Sequence, residues 1–180
     1  MDLNKITKEI MISKEALAEK TRELGQAITR DYEGKEVLLV CVLNGAIMFM
    51  SDLMKEIKLP LEIDFMAVSS YGNSTKSSGV VKIIKDLDKS VEGKHILIVE
   101  DIIDSGLTLH YLIDNLRSRG PESIEICTLL DKPSGRKADV PTKYKGFEIK
   151  DEFVVGYGLD YAEKYRNIPY IFVLKEDVYS

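Results

Sequence analysis

Two hydrophobic periods alternate along this chain, and the changes between them mark out its elements. Leu17, Leu24 and Ile28 recur at helical spacing behind Ser13, a residue type that caps helices, and predict a helix running to about Tyr32. Val37 to Leu43 (VLLVCVL) is an unbroken apolar run of strand length, the pattern of a strand covered on both faces. Asn44-Gly45 then turns the chain into a second helix, with Ile47, Met50, Met54 and Ile57 on one face and Pro60 as its stop. Leu61 to Ser70 begins by alternating and reads as a strand.

Residues 72–79 (GNSTKSSG) hold no apolar side chain, so the stretch 71–79 is expected to be a mobile loop within a single domain spanning 1–180. Val80 to Ile84 is expected to return as the second arm of a long hairpin, and Ile96 to Val99 as another buried strand. After a turn at 100–105, Leu109, Leu112, Ile113 and Leu116 predict a helix closed by Gly120-Pro121, followed by a strand from Ser123 to Leu130. Strands alternating with helices imply an α/β fold, a mainly parallel twisted sheet flanked by helices. Short strands around Phe153–Gly156 and Tyr170–Leu174 are too little for a second domain and predict a small cap formed from the chain ends.

Composition narrows the classes. With 44% hydrophobic and 31% charged residues, the 180-residue chain has the balance of a soluble globular protein. A net charge of -5 argues against nucleic-acid or anionic-membrane partners, and no apolar run reaches membrane-spanning length. Cys41 and Cys127 sit inside apolar runs with no Cys-x-x-Cys or Cys/His cluster, so zinc is not expected and a cytoplasmic location with reduced thiols is.

The chemistry gathers in Val99-Glu100-Asp101-Ile102-Ile103-Asp104-Ser105-Gly106-Leu107-Thr108. Ligands of open parallel sheets bind beyond the carboxyl ends of strands. Asp104 to Thr108, extending to Leu109, offers a glycine, two hydroxyls and the amides of a helix start, which are the parts of a phosphate cradle. It is not a Walker A loop, because the GxxxxGK[ST] pattern is absent. Glu100 and Asp101 would repel a bare phosphate. They fit if a cation lies between, or if they accept hydrogen bonds from sugar hydroxyls, and magnesium bound to a phosphorylated ribose satisfies both. The plain alternative makes Asp104 or Ser105 a helix cap and Glu100-Asp101 a solvated strand end.

VEDIIDSGLT resembles the phosphoribosyl-pyrophosphate (PRPP) signature of type I phosphoribosyltransferases. FVVGYGLDYAEKYRNIPY (Phe153 to Tyr170) resembles the hypoxanthine-guanine members of that family, and VLNGAIMFMSDL, SSYGNST, LLDK and GFEI match it in order. The resemblance spans roughly residues 35–175 and implies transfer of phosphoribosyl from PRPP to a 6-oxopurine, with Mg2+ as cofactor and a homodimer or homotetramer as assembly.

Carried over by position, the resemblance implies that Glu100 and Asp101 hold the ribose hydroxyls and the magnesium shell. Asp104 becomes the general base for purine N7, and Asp104, Ser105, Gly106, Leu107, Thr108 and Leu109 the 5′-phosphate cradle. Lys132 would donate to the 6-oxo group, Phe153 would stack on the ring, Val154 would meet its edge through the backbone, and Asp160 would lie near the purine and a second magnesium. Asn44, Gly45, Ser70, Tyr71 and Arg166 would serve pyrophosphate, with a cis peptide common before the first of these and Ser70-Tyr71 opening the loop that closes the site. Many relatives carry Lys or Arg where Asn44 stands, and the departure is expected to alter pyrophosphate affinity more than activity. Plain readings compete: Asp160-x-x-Glu163 is also a capping box, Lys132 a solvated turn residue, Tyr71 and Phe153 strand-end packing, and Arg166 a surface charge on a short helix. His95 and His110 read as structural, which leaves a carboxylate as the base.

Overall fold

The computed structural model describes residues 3–70 and 81–179. Tyr71 and the loop expected over 71–79 lie outside the described residues, as does the side chain of Ser70.

Helix α1 (Lys14–Asp31) begins where Ser13 accepts a hydrogen bond from the Ala16 amide at 3.2 Å, and it buries Leu17, Leu24 and Ile28. Strand β2 (Val37–Leu43) coincides with the apolar run and lies between β3 (Leu61–Ser70) and β5 (His95–Ile103), parallel to both. Burial on both faces is what its unbroken apolar sequence encodes. Strand β6 (Ser123–Asp131) continues the parallel set, β7 (Tyr144–Glu148) extends it, and β4 (Val81–Lys85) closes the other edge antiparallel to β3. The sheet order is β4-β3-β2-β5-β6-β7. Leu39, Cys41, Leu97, Val99, Cys127 and Leu129 face α1 and α2 (Ile47–Glu56), whereas Leu38, Val40, Ile96, Ile98 and Ile126 face α3 (Leu107–Arg117). The expected α/β architecture is therefore present.

A second, three-stranded antiparallel sheet forms the cap, in the order β1 (Thr7–Ile12), β9 (Ile171–Leu174), β8 (Val154–Val155). The opening segment thus supplies a strand that its mixed polarity concealed. A short helix, α4 (Glu176–Tyr179), follows β9.

Three details differ from the sequence-based expectations. Helix α2 buries Phe49, Met50 and Leu53 and leaves Ile47 38% exposed, because its core stripe follows Ala46, Phe49, Met50 and Leu53 instead. The expected turn at 100–105 starts late: β5 carries Glu100 and Asp101 within the strand and stays paired with β6 as far as Ile103. The segment around Arg166 is not a helix but a run of turns and isolated bridges, with positive φ at Tyr157, Ala162, Glu163 and Tyr165.

Candidate active site

Strand β5 delivers the acidic pair to the carboxyl edge of the parallel sheet, and the chain must then reverse into α3 within a few residues. Gly106 makes the reversal at φ +79°, in the left-handed region. A Cβ there would press against Ala138 O and a Val140 methyl, both at 3.0 Å. The first intrahelical bond of α3 runs from the His110 amide to Gly106 O, so the amides preceding it in the first turn lack partners along the helix. A cavity of about 170 Å³ opens at this turn, lined by Glu100, Asp104, Ser105, Gly106, Thr108 and Leu109 among others. Leu107 stands apart from that lining, and its amide is held by Ser105 Oγ at 3.4 Å.

The acidic pair is poorly compensated. Glu100 Oε2 is closed off from solvent and has no hydrogen-bond partner among the described residues. Burial, reinforced by the neighbouring Asp101 charge, pushes the Glu100 carboxyl well above its ordinary range. Burial likewise raises Asp101 to about 6, against hydrogen bonds from the Ile102 amide (2.8 Å) and its own amide and the field of Arg166. Among the described residues no group of three or more His, Cys, Asp or Glu is gathered closely enough to form a metal cage. Glu100, Asp101 and Asp160 therefore do not make a ready-built site.

Asp101 meets the turn after β2. The Leu43–Asn44 peptide is cis, Asn44 is exposed, and Gly45 packs so tightly that a Cβ would overlap the Asp101 carboxylate. From the other side, a Cβ on Gly158 would overlap Gly45 O. Arg166 donates to Gly158 O at 2.9 Å and pairs with Asp160 at 3.1 Å. Asp160 also accepts from the Glu163 amide at 2.8 Å, so the expected cap contact exists without a helix to cap. Asn44-Gly45, Asp101, Asp160 and Arg166 thus converge although more than a hundred residues separate the first from the last.

Lys132 follows β6 and reaches Asp104 Oδ2 at 3.6 Å and Asp151 Oδ1 at 2.8 Å. Burial opposes its charge, but the Asp151 and Asp104 carboxylates outweigh this and hold its pKa above the usual lysine value. Phe153 is 39% exposed at the entry to β8, and Val154 is buried in the register opposite Val173.

A strap that sequence reasoning missed holds the loop from beneath. Arg136 donates to Asp104 O at 3.1 Å and to Ile103 O at 3.4 Å, and it pairs with the buried Asp131. Lys145 pairs with the other oxygen of Asp131 at 2.8 Å. Burial works against the Asp131 charge, but these two cations hold its carboxyl below the usual carboxylate range. The amides of Lys137 and Ala138 donate to Ser105 O, and a Cβ on Gly135 would overlap the Asp104 carboxylate. The only sequence signal for any of this was Gly135 within Ser-Gly-Arg, a weak hint of close backbone approach. A larger hollow of about 370 Å³ lies between α1 and α2, beside the Tyr157–Asp52 hydrogen bond (2.6 Å), and is lined by none of these groups.

Residues 9–162 match the phosphoribosyl transferase domain family. The chain is 62% identical over 172 residues to the hypoxanthine-guanine phosphoribosyltransferase of Bacillus subtilis, covering 96% of each protein. It is 53% identical over 178 residues to the enzyme of the same name from Streptococcus thermophilus, covering 99% of each. A crystal structure of a hypoxanthine phosphoribosyltransferase from Staphylococcus aureus superposes with a TM-score of 0.97 at 52% identity, over 100% of this chain and 98% of that one. A strand-to-helix turn at Gly106, an acidic pair before it and a match to these proteins over nearly the whole chain agree: the chain belongs to the phosphoribosyltransferase family, in its hypoxanthine-guanine branch.

Proposed function

We propose that this chain transfers the 5-phosphoribosyl group of PRPP to hypoxanthine or guanine, giving IMP or GMP and pyrophosphate, in purine salvage. The observation that carries the reading is the pairing of Asp104, two residues before Gly106, with Lys132 at 3.6 Å. One carboxylate and one ammonium at that spacing suit the two polar edges of a 6-oxopurine, a proton-bearing imidazole nitrogen and a carbonyl oxygen.

In this reading Ser105, Gly106, Leu107, Thr108 and Leu109 bind the 5′-phosphate through first-turn amides and hydroxyls, and the helix start favours the negative charge. Glu100 and Asp101 bind the ribose hydroxyls. Asn44, Gly45 and Arg166 bind pyrophosphate, with Ser70 and Tyr71 as further contacts. As C1 parts from pyrophosphate, the Arg166 cation and the backbone of the Asn44-Gly45 turn face the charge that develops on the leaving group. Asp104 takes the N7 proton as the base attacks, Lys132 donates to the 6-oxo oxygen, Phe153 stacks on the ring and Val154 meets its edge.

Mg2+ fits the acidic pair, because Glu100 Oε2 is buried without a partner among the described residues and two adjacent carboxylates are disfavoured as anions. Glu100 and Asp101, with Asp160 nearby, would hold it together with substrate oxygens, as a hard cation that keeps few protein ligands prefers. When bound it supplies charge neutralisation for pyrophosphate. The assembly would be a homodimer or homotetramer. A cytoplasmic setting suits the free, buried Cys41 and Cys127; burial raises the Cys41 thiol to about 12 and that of Cys127 further still, so both stay protonated. Among the described residues no helix is long and apolar enough to cross a membrane.

An initial-rate panel of hypoxanthine, guanine, xanthine and adenine with PRPP and Mg2+ tests the reaction, and pyrophosphate release with none of them would sink it. Asp104→Asn should lower turnover at least a hundredfold while PRPP still binds, a loss on the scale of general-base catalysis. Near-normal turnover would remove the base assignment.

A further inference from the structure

The aromatic ring on which the purine is read to stack does not stand alone. The Tyr179 ring lies against Phe153 with centroids 4.9 Å apart and planes inclined by only 24°. Tyr161 meets the same Phe153 ring at 5.9 Å and 87°. Parallel and perpendicular partners together restrict both the tilt and the rotation of a phenyl ring, since each geometry is a preferred one.

The element carrying Tyr179 is itself anchored. Helix α4 is only one turn long and would not hold its shape alone. Tyr161 donates from its hydroxyl to Val178 O at 2.7 Å, and Val178 packs against the cluster of Val155, Ile168, Phe172 and Leu174. Immediately before α4, the Lys175 amide donates to Ile6 O, and its ammonium donates to Asn4 O and Lys5 O at 3.1 Å. Phe153 is tied to the same sheet, its carbonyl accepting from the Leu174 amide at 3.0 Å.

Strand alternation shows on which side this lies. Val154 and Val173 point into the main core, while Val155, Phe172 and Leu174 point into the cap's own cluster with Val178 and Tyr161. Tyr179 therefore approaches Phe153 from the cap side. Phe153 keeps 39% of its surface exposed, so the ring is not enclosed by these two tyrosines. We infer that Tyr179 is a positioning residue of the base site: with Tyr161 it backs the Phe153 ring and holds it parallel to the incoming purine, so that Tyr179, Phe153 and base form one stack. This rests on the reading of Phe153 as the purine platform.

The test compares Tyr179→Ala, Tyr179→Phe, Tyr161→Phe and Phe153→Ala in the full chain, measuring KM for hypoxanthine and guanine, KM for PRPP, and kcat. Losing one aromatic partner predicts a rise in base KM of about three- to tenfold for Tyr179→Ala, with KM for PRPP within about twofold. Tyr179→Phe keeps the ring and should restore normal base KM. Tyr161→Phe, a gentle change that also covers a poorly folding Tyr179→Ala, should raise base KM in the same direction by releasing Val178. An unchanged base KM in Tyr179→Ala, or an equal rise in KM for PRPP, would overturn the inference. A fall in base KM would overturn it too, because the tyrosine would then be occupying the base's own place. Phe153→Ala separates the two levels: if it raises base KM and Tyr179→Ala does not, only the backing role fails. If neither does, the assignment of Phe153 as platform fails with it.

Discussion

Asp101→Asn should make the ligand-free protein more stable while destroying its function. Burial raises the Asp101 carboxyl from 3.8 to about 6, which at ~1.36 kcal/mol per unit is a penalty of up to ~3 kcal/mol on the folded state when the group is ionised. Asparagine carries no charge to desolvate and can still accept the 2.8 Å hydrogen bond from the Ile102 amide. The sign follows from the raised folded value. Above about pH 6 both states are ionised and the folded state bears the whole cost; as pH falls towards the unfolded value near 4, the folded state takes up its proton first and the cost disappears. Thermal melts followed by circular dichroism, with chelator present, should show the variant melting roughly 6–12 °C higher than the parent at about pH 8, for a chain of this length. The difference should shrink to nearly nothing at about pH 4. Adding PRPP and Mg2+ should stabilise the parent much more than the variant, since only the parent retains both carboxylates. Equal stability at the higher pH, or a gap that persists in acid, would refute the picture of Asp101 as a carboxylate held ionised against its surroundings.

Two further outcomes follow from the packing. Gly45→Ala would drive a methyl group into the Asp101 carboxylate, so initial rates should fall at least about tenfold and inhibition by pyrophosphate should weaken; a fully active variant would mean that the turn tolerates displacement. Arg136→Met removes the hydrogen bonds to Asp104 O and Ile103 O and one of the two cations on buried Asp131. Urea unfolding should show a loss of roughly 3 kcal/mol, the lower end for breaking a buried pair because Lys145 remains, and kcat should fall more than KM for PRPP.

What could be read from the sequence was whatever is encoded locally. The run VLLVCVL identified β2 to the residue because burial on both faces leaves no room for polar positions. Ser13 marked the start of α1 because a cap is a contact across three residues. The turn into α3 was legible for the same reason: a glycine in the left-handed region and the amides of a helix start all fall within Asp104 to Leu109. Strand β1 was not legible, because its partner β9 lies at the other end of the chain and only Ile12 of its residues is fully buried. Nor was the true face of α2, where Ile47 and Phe49 are equally apolar and only the neighbouring sheet selects between them.

The sequence by itself determined the alternation of strands and helices, the placing of the acidic pair beside the turn into α3, and through resemblance the family. Tertiary structure alone decided how those groups are held. Gly45 against Asp101 and Gly158, Arg136 under Asp104, Asp151 on Lys132 and Tyr179 behind Phe153 are pairings between segments remote from or out of register with one another. Such pairings leave no periodic mark on the chain, because each depends on two elements docking at one distance, and a single residue records only its own side of the contact.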